Sequence, residues 1–242
     1  MMKIEIWSDF VCPFCYIGKR RLEQALDSFP HKDKVEVVYK SFELNPPGSI
    51  DTSLKIDEAL AKKYGTSIEE AKRMNENVAQ QAATVGLDFK FDIVSETFDA
   101  HRLAKFAESK GKATEVTERL LHAYFSENKN VGDHQVLLDL AVELGLDRAE
   151  VESVLKGNDF AKDVRIDEAE AKEIGVRGVP FFVINQKYAI SGAQPPETFS
   201  SALQQVWEEE SQKKTLQPLA QSNEDGAFCA EDGCEVPSQH KE

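Results

Sequence analysis

Hydrophobic and polar residues alternate at the start of the chain, and the period then changes twice. Alternation over residues 3–8 and again over residues 34–40 predicts two strands. Between them, apolar residues recur at helical spacing as far as Pro30, which is typical of a helix that ends there. The chain therefore opens with a strand, a helix and a strand, the order of a βαβ unit.

From about residue 54 to residue 174 the hydrophobic period is helical throughout. Ser67 with Glu70, and Asp147 with Glu150, have the spacing of capping boxes at helix N-termini. No fixed repeat runs through this region of the sequence, so we expect an irregular bundle of helices and not a solenoid.

Strand character returns after the helical region. Residues 181–184 and 187–190 flank a two-residue turn and predict a β-hairpin. The pair Pro195-Pro196 opens a last helix that runs through Trp207, because proline is well tolerated in the first turn of a helix. The sequence beyond Trp207 is acidic and poor in large apolar residues, so we expect a solvated tail there.

These elements predict an α/β fold with a discontinuous organisation. A βαβ…ββα domain is expected over residues 1–50 and 175–208, and a helical insertion domain over residues 51–174. An acidic C-terminal tail that contains a C-x4-C pair is expected over residues 209–242. Hydrophobic residues make up 41% of the chain, which is enough for a sizeable core.

Charge and composition narrow the class of protein. The net charge of -14 would repel a nucleic-acid backbone, so no nucleic-acid partner is expected. No apolar run is long enough to span a membrane, and four cysteines are too few for a disulfide-stapled secreted scaffold. The alternating N-terminus is unlike the unbroken apolar stretch of a signal peptide. We therefore expect a cytoplasmic protein without a membrane partner.

The first cysteine pair lies between the first strand and the first helix, in Cys12-Pro13-Phe14-Cys15. A thiolate on Cys12 would be stabilised at a helix N-terminus, and a thiolate is the form that attacks a disulfide. Cys15, one turn further along, has the position of a resolving thiol. A buried structural pair and half of a zinc site are the alternatives, although C-x-x-C within a βαβ unit favours redox chemistry.

Val179-Pro180 stands directly before the predicted strand at residues 181–184. Proline is permitted at the start of any strand, so a purely structural role is one interpretation. The alternative is a cis proline beside the attacking thiol, where the exposed backbone edge pairs with an extended substrate. The position of Cys12-Pro13-Phe14-Cys15 favours the cis form.

Four segments in order along the chain, from about residue 3 to residue 208, resemble the DsbA-like thioredoxin superfamily, and within it the FrnE-type branch of predicted dithiol–disulfide isomerases. They are residues 8–18 (SDFVCPFCYIG), 42–46 (FELNP), 98–103 (FDAHRL) and 175–183 (GVRGVPFFV). The resemblance implies a thioredoxin fold interrupted by a helical domain, with Cys12 as the nucleophile, Cys15 as the resolving thiol and Pro180 as the cis proline.

One position departs from the strongly oxidising DsbA proteins, which have histidine where this chain has Phe14. Phenylalanine cannot donate a hydrogen bond to the Cys12 thiolate, and Asp9 and Glu5 add negative charge nearby. We therefore expect a milder oxidant. Pro13, Phe14 and Val179 are expected to contact the substrate. Phe10, Phe14 and Val179 are expected to form an apolar rim for it, and hydrophobic packing is the other interpretation of these three side chains. His101 and Arg102 lie within an apolar helix face and fit the family pattern. For His101, a hydrogen-bonded packing role is favoured over a catalytic one.

The second pair, Cys229 and Cys234, lies in the tail on either side of an Asp-Gly step that can bring the sulfurs together. We predict that it exchanges disulfides with Cys12 and Cys15 as an auxiliary redox pair. The alternatives are two inert thiols and a zinc site shared by all four cysteines. No metal site and no nucleotide cofactor are expected.

The predicted function is a thiol–disulfide oxidoreductase or isomerase that acts on disulfide- or dithiol-containing proteins and on small thiols, as a monomer or homodimer. It needs no cofactor beyond its own redox-active disulfide, with glutathione or another thiol as a candidate co-substrate. Two other functions stay open. One is a glutathione-dependent isomerase or transferase of the related kappa-like class, and the other is a redox-controlled chaperone or sensor.

Overall fold

A computed structural model describes residues 1–212 and two short strands nearer the C-terminus. Its strands are β1 (Met2–Ser8), β2 (Val35–Ser41), β3 (Phe181–Ile184), β4 (Tyr188–Ser191), β5 (Phe228–Ala230) and β6 (Gly233–Glu235). Its α-helices are α1 (Pro13–Asp27), α2 (Ile56–Tyr64), α3 (Ile68–Ala83), α4 (Phe98–Ser109), α5 (Ala113–Phe125), α6 (His134–Glu143), α7 (Arg148–Lys156), α8 (Ala161–Glu173) and α9 (Pro196–Gln212).

The main sheet has the strand order β2-β1-β3-β4. Strand β1 pairs in parallel with β2 and antiparallel with β3, which is then joined to β4 by a hairpin. Asn185 and Gln186 have φ values of 50° and 53°, as a two-residue type I′ turn requires. The predicted βαβ opening and hairpin are confirmed, although β4 begins one residue later than predicted.

The helices between β2 and β3 begin largely where the sequence predicts. The Ser67 side chain accepts a hydrogen bond from the Glu70 amide at 3.1 Å, and the Asp147 side chain accepts one from the Glu150 amide at 2.9 Å. The hydrophobic period alone does not separate α2 from α3. Gly65, with a φ of 64°, ends α2 in the left-handed conformation that glycine adopts readily.

Helix α1 contributes to the largest hydrophobic core. Tyr16 and Ile17 are fully buried and belong to the same cluster as apolar residues of α4–α7. Phe125 stacks on Phe89 with ring centroids 4.5 Å apart within this cluster. Helix α9 covers another part of the sheet, where the ring centroids of Phe199 and Phe182 lie 4.8 Å apart. The helix that follows the first cysteine is therefore fixed by the inserted helices as well as by the sheet.

Residues 1–204 form one compact unit and residues 205–242 form another. The predicted division of the first unit into residues 1–50 with 175–208 and residues 51–174 stays a prediction. Within the second unit, β5 and β6 pair antiparallel with Cys229 directly opposite Cys234. The helices among the described residues include none with the length and apolar character needed to cross a membrane.

Candidate active site

The local backbone places Cys12 at the start of α1. Its amide donates to the Asp9 carbonyl at 3.2 Å, which closes the turn that follows β1. Cys12 itself is extended, with φ −92° and ψ 110°, and Pro13 occupies the first turn of the helix. The Cys12 sulfur therefore lies where unpaired amides and the helix dipole favour an anion, as the sequence predicts.

Cys15 is 3% exposed and lies one turn further along the helix. The Asp9 amide donates to its Sγ at 3.5 Å. Burial raises the pKa of the Cys15 thiol well above its ordinary value, and the hydrogen bond and charge of Cys12 raise it further, while the Asp9 amide and the Ser8 side chain lower it in part. Cys15 therefore holds its proton more tightly than an ordinary thiol, which suits a resolving thiol better than an attacking one.

The Val179–Pro180 peptide bond is cis, which confirms the expected isomer. The Cys12 thiol donates to the Val179 carbonyl at 3.5 Å, so this loop borders the attacking sulfur. Gly18 of α1 faces the same loop. A Cβ atom at position 18 would lie 3.1 Å from Pro180 Cγ and 3.3 Å from Phe182 Cζ. The absence of a side chain at Gly18 therefore permits the close approach of α1 to Pro180.

A groove of about 600 Å³ borders the first cysteine. Cys12, Pro13 and Phe14 form part of its wall, and Phe14 is 38% exposed. The opposite wall comes from α2, α3 and nearby loops and is mainly apolar; it includes Ile50, Leu54, Ile56, Leu60, Tyr64, Met74, Val78 and Phe91. Pro13 and Phe14 thus lie where a substrate could contact them, whereas Val179 is half-buried and outside this lining.

Phe10 is a packing residue, which was one of its two interpretations, and the expected hydrogen bond of His101 is absent at Nε2. Phe10 does not form an exposed rim, because it is 4% exposed and lies against His101 with ring centroids 4.7 Å apart. His101 is buried, but its Nε2 has no hydrogen-bond partner among the described residues. Arg102 is buried and donates to the carbonyl oxygens of Val154, Gly157 and Asp159.

Sequence reasoning missed a group of three buried polar residues behind the cysteines. Asp9 is fully buried, and its Oδ1 lies 3.4 Å from His101 Nε2 while its Oδ2 accepts from the Leu44 amide at 2.8 Å. Glu43 is buried next to them, and burial raises its pKa despite hydrogen bonding and charge from Arg165. A signal was present, since the three residues fall in three of the segments that carry the family resemblance.

Comparison with known proteins decides the family. The family model of the DSBA-like thioredoxin domain matches residues 3–204. The chain belongs to the DSBA-like thioredoxin family. The match runs from β1 into α9 and takes in both cysteines of the first pair and Pro180. It confirms the predicted fold class and the resemblance at the level of the family, while the FrnE-type branch stays a prediction.

Relatives of this DSBA-like chain include solved oxidoreductases. The YwbO protein of Bacillus subtilis (strain 168) is 32% identical over 204 residues, which is 83% of this chain and 94% of that protein. A probable DsbA oxidoreductase of Streptomyces coelicolor, SCO1869, is 41% identical with a TM-score of 0.82, and the match covers 98% of this chain and 100% of that one. The cytosolic disulfide reductase DsbM of Pseudomonas aeruginosa shares the fold at 16% identity and a TM-score of 0.61, over 86% of this chain and 99% of that one.

The predicted site residues of the DSBA-like chain fall into two groups. Cys12, Cys15, Val179 and Pro180 come together around the start of α1. Cys229 and Cys234 belong to the other compact unit, and only the pairing of their backbones is described. Within the described part of the chain, no three His, Cys, Asp or Glu side chains form a group that could hold a metal ion.

Proposed function

We propose that this DSBA-like protein is a thiol–disulfide oxidoreductase or isomerase that exchanges disulfides with protein or small thiol substrates through Cys12 and Cys15. One observation carries the proposal: a cysteine at the N-terminus of α1 borders a groove and lies against the Val179 carbonyl, with a second, buried thiol one turn behind it. Both cysteines are buried, Cys12 at 4% exposed and Cys15 at 3%, but only Cys12 lines the groove. A substrate disulfide in the groove therefore meets Cys12 first, and Cys15 is placed to resolve the mixed disulfide.

The exchange proceeds in two steps. The Cys12 thiolate attacks one sulfur of a substrate disulfide, which forms a mixed disulfide and releases the other substrate sulfur as a thiolate. Cys15 then loses its proton and attacks Cys12 Sγ, so that the mixed disulfide breaks and the Cys12–Cys15 disulfide forms. The substrate gains two electrons and the two cysteines lose two, and the reverse sequence oxidises a substrate dithiol.

We place this activity in the cytoplasm, where the pair would be re-reduced by a thiol. The support is compositional, together with a shared fold with DsbM, which is described as a cytosolic disulfide reductase. Phe14 supports a milder oxidant than the DsbA proteins that carry histidine there.

Glutathione is the small thiol that we propose as co-substrate. DsbM has also been solved with glutathione (GSH). In this chain, Lys62 and Lys63 lie on the groove that Cys12 borders, where ammonium groups can pair with the carboxylates of such a thiol. A glutathione-dependent isomerase remains the alternative, and it would not need Cys15.

The decisive experiment compares insulin-disulfide reduction by the parent, Cys12→Ser and Cys15→Ser. Cys12→Ser should lose measurable turnover because no other described thiol borders the groove. Cys15→Ser should accumulate a mixed disulfide that non-reducing electrophoresis and mass spectrometry detect. Turnover by Cys12→Ser equal to the parent would contradict the proposal, and glutathione-dependent isomerisation by Cys15→Ser would favour the alternative.

We further propose that Cys229 and Cys234 relay electrons to or from the first pair. Directly opposed residues of an antiparallel pair have Cα atoms about 4.5–5.5 Å apart, within the range that a disulfide spans. A pair held this close can form and open a disulfide, which is the property that exchange with the first pair requires.

A further inference from the structure

One carboxylate of the inserted helices binds three side chains of α1, the helix that begins at the first cysteine pair. Glu118 of α5 accepts hydrogen bonds from the Tyr16 hydroxyl at 2.6 Å and from the Lys19 ammonium at 2.5 Å, and it pairs with the Arg20 guanidinium. The three donors lie on one face of α1, because residues three and four apart are neighbours on a helix. Glu118 therefore holds α1 in one position and one rotation relative to α5.

The contact is partly buried, and Lys19 depends on it. Lys19 is 4% exposed, and within the described part of the chain its ammonium pairs with Glu118 and Glu23 alone, each at 2.5 Å. Glu23 lies on α1 itself, so Glu118 is the partner that links this ammonium to another helix. Burial opposes ionisation of Glu118, but hydrogen bonds from Lys19 and Tyr16 and the charges of Lys19 and Arg20 lower its pKa. Glu118 is therefore ionised at neutral pH.

Helix α5 also supports the floor of the groove that Cys12 borders. Tyr124 lines this groove and donates its hydroxyl to the Ile93 carbonyl at 2.7 Å. Phe91, which lines the groove as well, packs on Phe125 with ring centroids 5.0 Å apart. The backbone between α3 and α4 is therefore attached to α5 at the residues that face the groove.

Helix α2, which contributes to the wall opposite Cys12, begins on this same stretch of backbone. The Ile56 amide donates to the Asp92 carbonyl at 3.1 Å, and Lys55 Nζ pairs with the Asp92 carboxylate at 2.7 Å. Lys55 also forms an isolated antiparallel bridge with Ile93. One connected path therefore runs from α1 through Glu118 to α5, and from α5 through this stretch to α2.

We propose that Glu118 is a positioning residue of the disulfide exchange, which sets the distance between Cys12 and the opposite wall of the groove. The proposal rests on the proposed function, because this distance matters only if Cys12 attacks a disulfide held in the groove. Glu118 is outside the groove lining, so it acts through α1 and not on the substrate. Misplacement of reacting atoms by about 1 Å can lower a rate about a hundredfold.

The proposal predicts that loss of Glu118 affects disulfides according to how much of the groove they fill. Glutathione disulfide has two tripeptide arms, whose carboxylates can pair with Lys62 and Lys63 on the groove. Bis(2-hydroxyethyl) disulfide has two short arms, so its reaction with Cys12 needs little alignment by the groove. A smaller fraction of folded protein would slow both reactions equally, whereas a displaced α1 slows the first and spares the second.

The experiment measures single-turnover oxidation of the reduced Cys12–Cys15 pair in the full-length chain with Cys229→Ser and Cys234→Ser. Each disulfide takes two electrons from the pair and leaves as two thiols, while the Cys12–Cys15 disulfide forms. Acid quenching, alkylation of the remaining thiols and mass spectrometry give the rate at several disulfide concentrations. The measured quantity is the second-order rate constant with glutathione disulfide divided by that with bis(2-hydroxyethyl) disulfide.

Glu118→Gln should lower this ratio on the order of tenfold, because an amide has one acceptor oxygen for three donors. The rate constant with bis(2-hydroxyethyl) disulfide should stay within about twofold of the parental value. Tyr16→Phe removes one of the three donors and keeps the ring that stacks on Phe89. It should lower the ratio in the same direction but by less.

The matched control is Glu127→Gln, made in the same background. The Glu127 side chain is 29% exposed, against 31% for Glu118, and it pairs with Arg119 of α5 at 3.0 Å. Its ion pairs among the described residues are with Arg119, His122 and Lys129, none of which lies on α1. This variant should therefore keep the parental ratio even where it lowers stability.

An equal ratio in Glu118→Gln and the parent would overturn the proposal, as would equal slowing of both reactions, which indicates a structural role alone. If Glu118→Gln does not fold, the ratio for Tyr16→Phe decides by the same criteria. Oxidation of a Cys12→Ser variant by either disulfide at the parental rate would instead contradict the proposed function itself.

Discussion

At position 18 the missing side chain determines how closely α1 approaches the loop that carries the cis proline. Pro180, Phe182 and the backbone of Ala193 all lie within 3.5 Å of the place that a Cβ would occupy. Two of these contacts are tighter than ordinary van der Waals distances, and both partners are buried. The separation of Cys12 from the Val179 carbonyl therefore depends on a residue that takes no part in the chemistry.

Gly18→Ala should destabilise the protein by roughly 1–3 kcal/mol, as overpacking of a core contact does, and should lower insulin reduction by moving the loop away from α1. Chemical denaturation measures the first effect and the turnover assay the second. Gly178→Ala is the matched control, because nothing lies within 4 Å of a Cβ there. An equal free energy of unfolding in Gly18→Ala and the parent would show that the loop moves to accommodate the added methyl group without loss of stability.

Sequence reasoning selects residues of the candidate site where the signal is local to one residue or one turn. Cys12, Cys15 and Pro180 are identified by residue type and by the element that follows each. Asp9 and His101 come from segments about ninety residues apart, and neither has a motif of its own. Their proximity depends on how α4 is placed against the end of β1, a tertiary relation that no period or spacing encodes.

Between elements, an ionic cluster fixes the C-terminal end of α5. Glu127 follows the helix and contacts Arg119 at 3.0 Å, His122 at 3.1 Å and Lys129 at 2.7 Å. Partial burial opposes ionisation, but hydrogen bonds from Lys129 and Arg119 outweigh it and lower the pKa of Glu127 to about 2. Arg119 extends the cluster to Glu143 of α6 at 3.1 Å. The cluster therefore ties two successive inserted helices together.

Glu127→Gln should lower the free energy of unfolding at neutral pH by about 1 kcal/mol, since several partners lose one carboxylate. The pKa of Glu127 in the folded state lies below its value in the unfolded chain. Its contribution to stability is therefore fully present at pH values above the pKa of an ordinary glutamate. It should disappear as the pH falls towards about 2.

Urea denaturation at several pH values tests this expectation. The exposed i,i+4 pair of Glu152 with Lys156 supplies the control, and Glu152→Gln should have a smaller effect. A difference between Glu127→Gln and the parent that stays constant down to pH 2 would contradict the assignment.

The elements themselves were largely predictable because capping and periodicity act within a few residues. The boundary between α2 and α3 was not predicted, since the helical period continues across Gly65. The groove was not predictable either. Its walls combine the start of α1 with α2 and α3, and its volume follows from their packing rather than from any one segment.

On the scale of the whole molecule, the chain combines one compact unit that holds Cys12 with another that holds Cys229 and Cys234. The opposed register of the second pair is compatible with a reversible disulfide between them. If the relay operates, the second pair changes how quickly the first regains its starting redox state, and leaves the attack by Cys12 itself unaffected.

The variant with Cys229→Ser and Cys234→Ser should therefore turn over more slowly with insulin under limiting reductant. In a single turnover, the rate at which its Cys12 attacks a model disulfide should equal the rate in the parent, which retains all four cysteines. Turnover under limiting and saturating reductant separates these steps, and quenched-flow trapping with an alkylating agent identifies the disulfide present at each time. Identical turnover in the variant and the parent under both conditions would eliminate the relay.

The direction of β1 has a practical consequence. Met1 is almost fully exposed and precedes β1. The C-terminal end of β1 leads to the first cysteine and the start of α1. A strand of this length spans about 20 Å. A linker joined to the amino terminus would thus attach the molecule to a bead or an electrode at the end of β1 remote from the reactive sulfur, leaving that sulfur free to meet an incoming thiol.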